Sequence, residues 1–406
     1  MLKDFPTKLI IVYFLLLISF PLSLFDILKY DFTTAYLAVI SFLFLLPAVF
    51  FLSKSYWKNK ITIIVWCLRL LSIINFLLVS YRLGITREDI VAFVGTLSLT
   101  FFYELGYFIV TSGYFERFLR YWIWIYTAIC IYWLLILLPI FFKYGLAEII
   151  YRCKIFITYR LSWHWPNAFG FYLVLLFWMV IYFSQQNRKY LLALIFILPT
   201  LLFTYAKAVF LAWAISMGVA VWQQRKKKIL TSIVLVLILL APFIYAVFGM
   251  KSIPSGSSIQ HSVEMRKYRW EIAFSQWKKC PLLGYGFRSY TTITPQYYYE
   301  GERRSLPVGS SHNDYVDLLL RGGIIYSILF WTFVLTIIWR GFRVKNEQKN
   351  LPRYLSYSII ALLVAALFQN PFKEPVTLAL FWSYVAAIAY YRNKLKEKEI
   401  RDIYYG

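Results

Sequence analysis

About twelve apolar stretches of 15–25 residues run along the chain, and together they predict helices that cross a lipid bilayer. A membrane-spanning helix needs about 20 apolar residues, because the bilayer interior holds no water to bond exposed backbone groups. Apolar residues make up 61% of the 406 residues and charged residues only 15%, whereas a soluble protein carries about 25% charged residues. The sequence therefore predicts an all-α polytopic membrane protein that forms one integral membrane domain over residues 1–406.

Lysine and arginine runs separate many of these stretches and predict the orientation of the chain. The predicted spans lie at 9–25, 32–53, 61–81, 90–112, 121–142, 166–183, 190–206, 208–222, 229–249, 315–339, 355–370 and 375–391. With the N-terminus in the cytoplasm, the inner segments hold 23 Lys and Arg and the short outer segments hold nine. Cationic loops resist translocation, so we expect both termini in the cytoplasm. This distribution also accounts for the net charge of +24, and no nucleic-acid partner is expected.

Two predicted outer segments are long enough to carry a site, a smaller one at 143–165 and a large loop at 250–313. A helical run is expected at 263–277 within the large loop. All three histidines, His164, His261 and His312, fall in these segments, and histidine is the side chain that exchanges protons near neutral pH. Cys153 and Cys280 also lie there, and the sequence leaves open whether they pair. No cysteine or histidine spacing typical of a metal site is present.

Two charged residues lie inside predicted spans that run in opposite directions. Arg69 and Glu104 each lie eight residues from the inner end of their span, which corresponds to a depth of about 12 Å. A lone charge at that depth costs at least about 2–3 kcal/mol, so we predict that the two side chains form an ion pair. A structural pair is favoured over a proton or ion relay.

Three short motifs lie in or beside the outer segments. They are Arg266 four residues before Trp270, then a turn with Pro281, Gly284 and Gly286; His312-Asn313 at the mouth of the tenth predicted span, with Gly323 eleven residues later; and Pro166-Asn167 at the start of the sixth span, preceded by Arg160. Glycine allows a helix or a substrate to approach the backbone closely. The tripeptide 284–286 is expected to form a tight turn.

Taken in order over about residues 160–340, these motifs resemble the O-antigen ligase and O-antigen polymerase family of bacterial envelope polysaccharide assembly. The resemblance implies an enzyme of the bacterial cytoplasmic (inner) membrane. Such an enzyme transfers a glycan from undecaprenyl diphosphate to an acceptor hydroxyl on the outer face. Two positions depart from the family pattern. Ala206-Lys207 stands where the family has Ser-Arg, and Tyr326 stands where the family has a second glycine.

The resemblance also assigns roles to individual residues, and the chemistry of the reaction agrees with them. A departing diphosphate is a weak base that needs fixed cations rather than a general acid. The candidate cations are Arg266, Lys207, Arg160, Arg269, Arg288 and Arg321. The acceptor hydroxyl must lose a proton, which suits His312 as the general base, with Asn313 or Asp314 orienting it and Asn167 in support. We expect an inverting, metal-independent displacement without a cofactor.

Several alternatives remain open at this level. The acceptor is either a second lipid-linked glycan, as in a polymerase, or a lipid A core sugar, as in a ligase of lipopolysaccharide biosynthesis; the polymerase is preferred slightly. A chain-length regulator is a further candidate partner. A flippase for lipid-linked oligosaccharides is the alternative from a different class, and it should carry charged groups along a central cavity. Without catalysis, His312 would only cap its helix and Arg266 would be a solvated residue of a scaffold protein.

Overall fold

A computed structural model describes residues 54–152, 166–204, 206–224, 259–288, 290–293, 311–344, 350–373 and 375–405. Its α-helices are α1 (Lys54–Lys58), α2 (Lys60–Leu83), α3 (Arg87–Thr100), α4 (Phe102–Thr111), α5 (Phe115–Arg152), α6 (Pro166–Gln186), α7 (Leu191–Phe203), α8 (Lys207–Gln224), α9 (Ile259–Trp277), α10 (Tyr290–Ile293), α11 (Asp314–Phe342), α12 (Leu351–Ala366) and α13 (Pro375–Tyr405). The described residues contain no strand, which confirms the all-α prediction for this part of the chain.

Five described segments are helical, long and apolar enough to cross a membrane. They are Lys60–Leu83, Arg87–Thr111, Phe115–Pro139, Phe169–Gln186 and Asp314–Phe342. The predicted spans 9–25, 32–53 and 229–249 lie outside the described residues, and every other predicted span coincides with helical structure. The total of about twelve spans and the orientation of the chain stay predictions.

The helices depart from the predicted boundaries in two places near the outer segments. Helix α5 continues to Arg152, so the first part of the predicted 143–165 segment extends the preceding helix. The expected helical run at 263–277 is confirmed, and it begins slightly earlier, at Ile259. The large 250–313 loop therefore contains a helix of five turns.

Close backbone contacts and aromatic rings hold the helices together. Helix α13 packs along α4, where a Cβ on Gly106 would lie only 2.6 Å from the Cα of Ser383. Helix α12 packs against α6, α8 and α11. Within that group the rings of Trp178 and Tyr357 lie 4.7 Å apart, and the Trp178 indole donates to Ser216 at 3.2 Å.

The predicted pairing of Arg69 with Glu104 is confirmed. Both guanidinium Nη atoms donate to the two carboxylate oxygens at 2.6 Å, and the two side chains are 2% and 0% exposed. The Arg69 Nε also donates to Thr100 Oγ1 at 2.9 Å, and the Tyr56 hydroxyl donates to Glu104. Because an arginine does not release its proton in proteins, this saturated pair fits a structural role rather than a proton relay.

Helix α11 coincides with the predicted span 315–339, but it is sharply broken at Gly323, which the sequence did not predict. Gly323 has φ 70° and ψ 178°, a conformation that is essentially restricted to glycine. The rings of Tyr315 and Trp331 stack with their centroids 4.2 Å apart, although a straight helix would separate these residues by about 24 Å. The first limb (314–322) therefore folds back against the second limb (324–342).

Backbone groups freed by this break bond to the loop 281–287. The hydrogen bonds run from Tyr285 N to Leu320 O (3.0 Å), from Phe287 N to Arg321 O (3.1 Å) and from Ile324 N to Pro281 O (3.0 Å). The side-chain amide of Asn75, on α2, donates to the carbonyl of Leu283 at 2.6 Å. Non-helical backbone at membrane depth is stable only where such partners exist, so the loop and the broken helix stabilise each other.

The motif glycines make this contact possible. A Cβ on Gly284 would lie 2.5 Å from the Gly323 nitrogen, and a Cβ on Gly323 would lie 2.2 Å from the carbonyl oxygen of Leu282. Gly284 and Gly286 have φ values of 62° and 67°, so the expected tight turn is confirmed. The close approach expected at Gly323 is also confirmed, and its partner is the backbone of a loop.

Candidate functional site

Helix α9 is attached directly to the turn that carries His312. The Trp270 indole N–H donates to the carbonyl oxygen of Ser311 at 3.0 Å. Arg266 precedes Trp270 by four residues, and residues with that spacing lie on the same face of a helix, about 6 Å apart. The structure therefore brings Arg266 within about one helical turn of the segment that presents His312.

The His312 turn has a defined conformation. His312 is partly buried, and its φ of 55° is uncommon for any residue other than glycine. The Ser311 hydroxyl donates to the Asn313 carbonyl at 2.8 Å and accepts from the Asn313 amide at 3.2 Å. The Ser311 amide donates to the carboxylate of Asp317 at 3.0 Å. These contacts fix the backbone on both sides of the imidazole.

Helix α11 is capped by Asn313 rather than by His312. The Asn313 side-chain oxygen accepts hydrogen bonds from the amides of Tyr315 and Val316 at 2.9 and 3.2 Å, which is the usual action of an N-cap residue. The alternative that His312 serves as the helix cap is therefore wrong.

The carboxylates of Asp314 and Asp317 attach the first limb to the segment after α12. The Asn370 amide donates to Asp314 at 3.0 Å and to Asp317 at 2.9 Å, and the Phe372 amide donates to Asp314 at 2.9 Å. Both aspartates are buried. The orienting role of Asp314 or Asn313 toward His312 stays a prediction.

Arg266 and Arg269 form a cationic pair on α9. Burial, followed by the like charge of Arg269, lowers the pKa of the Arg266 guanidinium. Within the described ranges, Arg266 has neither a hydrogen bond nor an ion pair to another side chain. Lys267 differs, because it is 78% exposed and lies 3.9 Å from Glu271 on the outer side of the helix. A like charge and burial both disfavour a lone cation, so a negatively charged group beside Arg266 would be stabilising.

Arg288 and Arg321 bond to other groups of the protein. Arg288 is buried and donates to the Asp89 carboxylate through Nε at 2.8 Å and Nη2 at 2.6 Å. Arg321 donates to the carbonyl oxygens of Phe287 at 2.7 Å and Arg288 at 3.2 Å. Both arginines thus hold the loop 281–287 against α3 and the first limb. Asp89 went unnoticed in the sequence, where its only signal is the capping box that it forms with Thr86.

The remaining predicted site residues are described only in part or not at all. Lys207 begins α8, and Asn167 is the second residue of α6, so both stand at helix starts as expected. Arg160, Cys153 and His164 lie outside the described residues. Cys280 is a free thiol. In the described ranges no group of three or more His, Cys, Asp or Glu side chains is arranged to hold a metal ion.

A cavity lies in the angle between the two limbs of α11. Side chains of both limbs, α3, α13 and the segments near them line it, including Asp314, Asp317 and Arg321 from the first limb, Tyr326, Phe330 and Trp331 from the second, and Thr96, Thr100, Phe372 and Trp382 from the neighbouring segments. Tyr326 replaces the second family glycine, and its ring packs edge-on against Phe287 at 4.7 Å. Asp314, which lines the cavity, follows His312 by two residues in the sequence.

The fold and the site define a helical membrane protein in which a cationic helix is docked against a histidine turn and a broken helix. The family model described as O-antigen ligase matches residues 191–331, and this match confirms the resemblance inferred from the motifs. The matched part contains Lys207, Arg266 and His312, whereas Arg160 and Asn167 precede it. No curated protein matches the chain.

Proposed function

We propose that this protein transfers a glycan from undecaprenyl diphosphate to an acceptor hydroxyl at the outer face of the bacterial cytoplasmic membrane. The match to the O-antigen ligase family model and the apolar helices support a membrane glycan-transfer enzyme. The single observation that carries the proposal is the hydrogen bond between Trp270 and Ser311, because it joins the helix of Arg266 to the turn of His312.

The cations of α9 stabilise the leaving group. When the anomeric C–O bond breaks, its electron pair goes to the diphosphate, which leaves as an anion close to low-dielectric lipid. Fixed guanidinium groups stabilise such a charge strongly, because they need no reorganisation during the reaction. Arg266 is the first ligand and Arg269 the second, and Lys207 and Arg160 are further candidates. Arg288 and Arg321 act in our proposal by holding the loop 281–287 in position.

His312 acts as the general base. The acceptor oxygen attacks the anomeric carbon from the side opposite the diphosphate, and its proton passes to the imidazole. One C–O bond forms as the other breaks, so the anomeric configuration inverts. The reaction as proposed needs neither a metal ion nor a cofactor, since cationic side chains neutralise the diphosphate.

The charges within the described spans favour a transferase over a flippase. Arg69 and Glu104, which lie inside two of these spans, bond to each other. Arg321, which lines the cavity of α11, donates to the carbonyl oxygen of Phe287. A flippase would require cavity charges that remain accessible to the diphosphate headgroup. Charges already bonded to protein partners do not meet that requirement.

Transfer from a synthetic undecaprenyl-diphosphate glycan by the purified full-length protein tests the proposal. The variant His312→Asn removes the base, and asparagine tolerates a positive φ better than alanine does. We expect this variant and Arg266→Ala each to reduce the rate about 100-fold or more. The control Lys267→Ala, on the exposed side of the same helix, should keep the wild-type rate. Unchanged turnover in both site variants would exclude this site.

The acceptor is identified in the same assay. A second lipid-linked glycan as productive acceptor defines a polymerase, which we prefer, and a lipid A core oligosaccharide defines a ligase. Products are separated by the number of repeat units. The assay is repeated with a candidate chain-length regulator, which should alter the distribution of product lengths only if the protein is a polymerase.

A further inference from the structure

We propose that the cavity between the two limbs of α11 binds a sugar ring of the acceptor glycan. This inference rests on the proposed function, and it adds to it by assigning a second site, distinct from the diphosphate site on α9. The cavity is formed by the fold-back at Gly323, which brings Asp314 and Asp317 opposite Phe330 and Trp331.

The aromatic wall of the cavity suits a carbohydrate. Trp331 stacks on Tyr315 with 4.2 Å between the ring centroids. It also packs edge-to-face with Phe372, with 6.0 Å between the centroids. Phe330 packs against the same Trp331 at 4.9 Å. A pyranose ring has an apolar face of C–H groups that packs on such rings, while its hydroxyl groups point to the sides. Rigid aromatic side chains offer this surface with little loss of conformational freedom.

The cavity differs from the proposed diphosphate site in its charge. Two carboxylates, of Asp314 and Asp317, and one guanidinium, of Arg321, line the cavity, so the sum of these formal charges is −1. That charge repels a diphosphate but accepts hydrogen bonds from neutral hydroxyl groups. A polyprenyl chain is equally unsuited, because burying carboxylates against hydrocarbon is costly. A neutral, hydroxyl-bearing ligand fits both the rings and the charges.

Two buried polar atoms beside the cavity have no hydrogen-bond partner in the described part of the chain. One is the indole N–H of Trp382, and the other is the side-chain oxygen of Asn370. Trp382 lines the cavity, and Asn370 bridges Asp314 and Asp317. One atom is a donor and the other an acceptor, and a sugar hydroxyl can serve as partner for either. Unsatisfied buried polar groups are rare in folded proteins.

The position of the cavity relative to His312 selects the acceptor rather than the donor glycan. The lining residue Asp314 follows the proposed base by only two residues in the sequence. A sugar held between the limbs therefore presents a hydroxyl toward the histidine turn, whereas the donor is held by its diphosphate on α9. In this arrangement the acceptor hydroxyl reaches the anomeric carbon from the side opposite the diphosphate, as an inverting displacement requires.

Two cavity variants and one control test this inference in the full-length protein. Leu318→Trp adds bulk inside the cavity, and Trp331→Leu removes the stacking surface. Trp339→Leu is the matched control, because Trp339 lies on the same helix and is 58% exposed. We expect the acceptor KM to rise about tenfold or more in both cavity variants, with the donor KM unchanged. The control should match wild type in both constants.

Calorimetric binding of a neutral oligosaccharide, released by mild acid from the carrier-linked glycan of the same cells, separates this inference from the proposed function. Binding should persist in His312→Asn and disappear in Leu318→Trp. Binding without transfer in the wild-type protein would remove the proposed function and leave the site. Transfer with unchanged acceptor KM and unchanged oligosaccharide binding in both cavity variants would overturn the site and leave the function. If the cavity variants lost binding of polyprenol but kept binding of the oligosaccharide, the assignment of the cavity to a sugar would also be overturned.

Discussion

The arginines of this protein fall into two groups that differ in what neutralises them. Arg69 and Arg288 are both buried. Arg69 donates to the carboxylate of Glu104 on α4 at 2.6 Å, and Arg288 donates to the carboxylate of Asp89 on α3 at 2.6 Å. Arg266 is half-buried on α9, where a like charge, Arg269, lies beside it. The first group stabilises the packing of helices. In the proposed function the second group binds the diphosphate, so burial alone does not separate the two groups.

The largest effect is expected at the Arg69–Glu104 pair. Glu104→Ala leaves a buried guanidinium without its carboxylate, which should lower the free energy of unfolding by about 3–5 kcal/mol. The double variant Arg69→Met with Glu104→Leu removes both charges and should recover most of that loss. Thermal unfolding in detergent measures both. A Glu104→Ala variant as stable as the wild type would show that the buried guanidinium does not need this carboxylate.

A smaller loss of stability is expected at the Arg288–Asp89 pair. Asp89→Ala leaves a mostly buried guanidinium without a carboxylate and removes the hydrogen bond that the Asp89 side chain accepts from the Thr86 amide in the capping box of α3, which should cost about 1–3 kcal/mol. The loop 281–287 should then become more accessible to a protease. Glu88→Ala, at the adjacent exposed position, is the control and should leave the cleavage rate unchanged. A protected loop in Asp89→Ala would contradict the supporting role that we give Arg288.

Arg266 should respond in the opposite way, through rate rather than stability. Arg266→Lys keeps the charge but loses the planar fork that binds phosphate in a bidentate manner, so we expect about a tenfold lower transfer rate with an unchanged melting temperature. The matched substitution Lys267→Arg should change neither. A fall in melting temperature as large as that of Asp89→Ala would move Arg266 into the structural group.

The smallest effect is expected at the contact between α9 and the His312 turn. Trp270→Phe keeps a ring of similar shape but removes the indole N–H that donates to Ser311, at a cost of about 1 kcal/mol. Turnover should fall, because α9 then holds Arg266 less firmly relative to His312. Trp277→Phe, which removes the indole bond to Pro281 at the other end of α9, is the control. Equal turnover in both variants would mean that the Trp270 contact does not align the site.

The sequence predicts the helices well and the broken helix poorly, for a physical reason. A bilayer forces every spanning backbone to satisfy its own hydrogen bonds, so long apolar runs indicate helices almost regardless of detail. The depth of Arg69 and Glu104 was enough to predict their pairing. The fold-back at Gly323 depends on hydrogen bonds with a loop about 40 residues earlier in the chain. A hydropathy pattern does not predict which distant backbone groups will form such bonds. The glycine spacing indicated close approach but not its geometry.

In the candidate site, too, the sequence predicts local features but not the contacts between residues that are distant in the chain. The functional roles of Arg266 and His312 stay predictions, and the structure adds that Trp270, on the helix of Arg266, bonds to the residue before His312. Arg288 and Arg321 could not be separated from Arg266 by sequence, because a charge on an outer loop looks the same whether or not a distant aspartate neutralises it. Asp89 lies 199 residues from its partner.

Asn370 has a consequence for biogenesis. Its amide joins Asp314 and Asp317, although it is synthesised more than fifty residues after the histidine turn. During translation the ribosome must therefore extend the chain beyond Asn370 before the histidine turn can reach its final shape. A nascent chain that stops ahead of this asparagine would contain His312 and Arg266 but lack the side chain that joins Asp314 to Asp317.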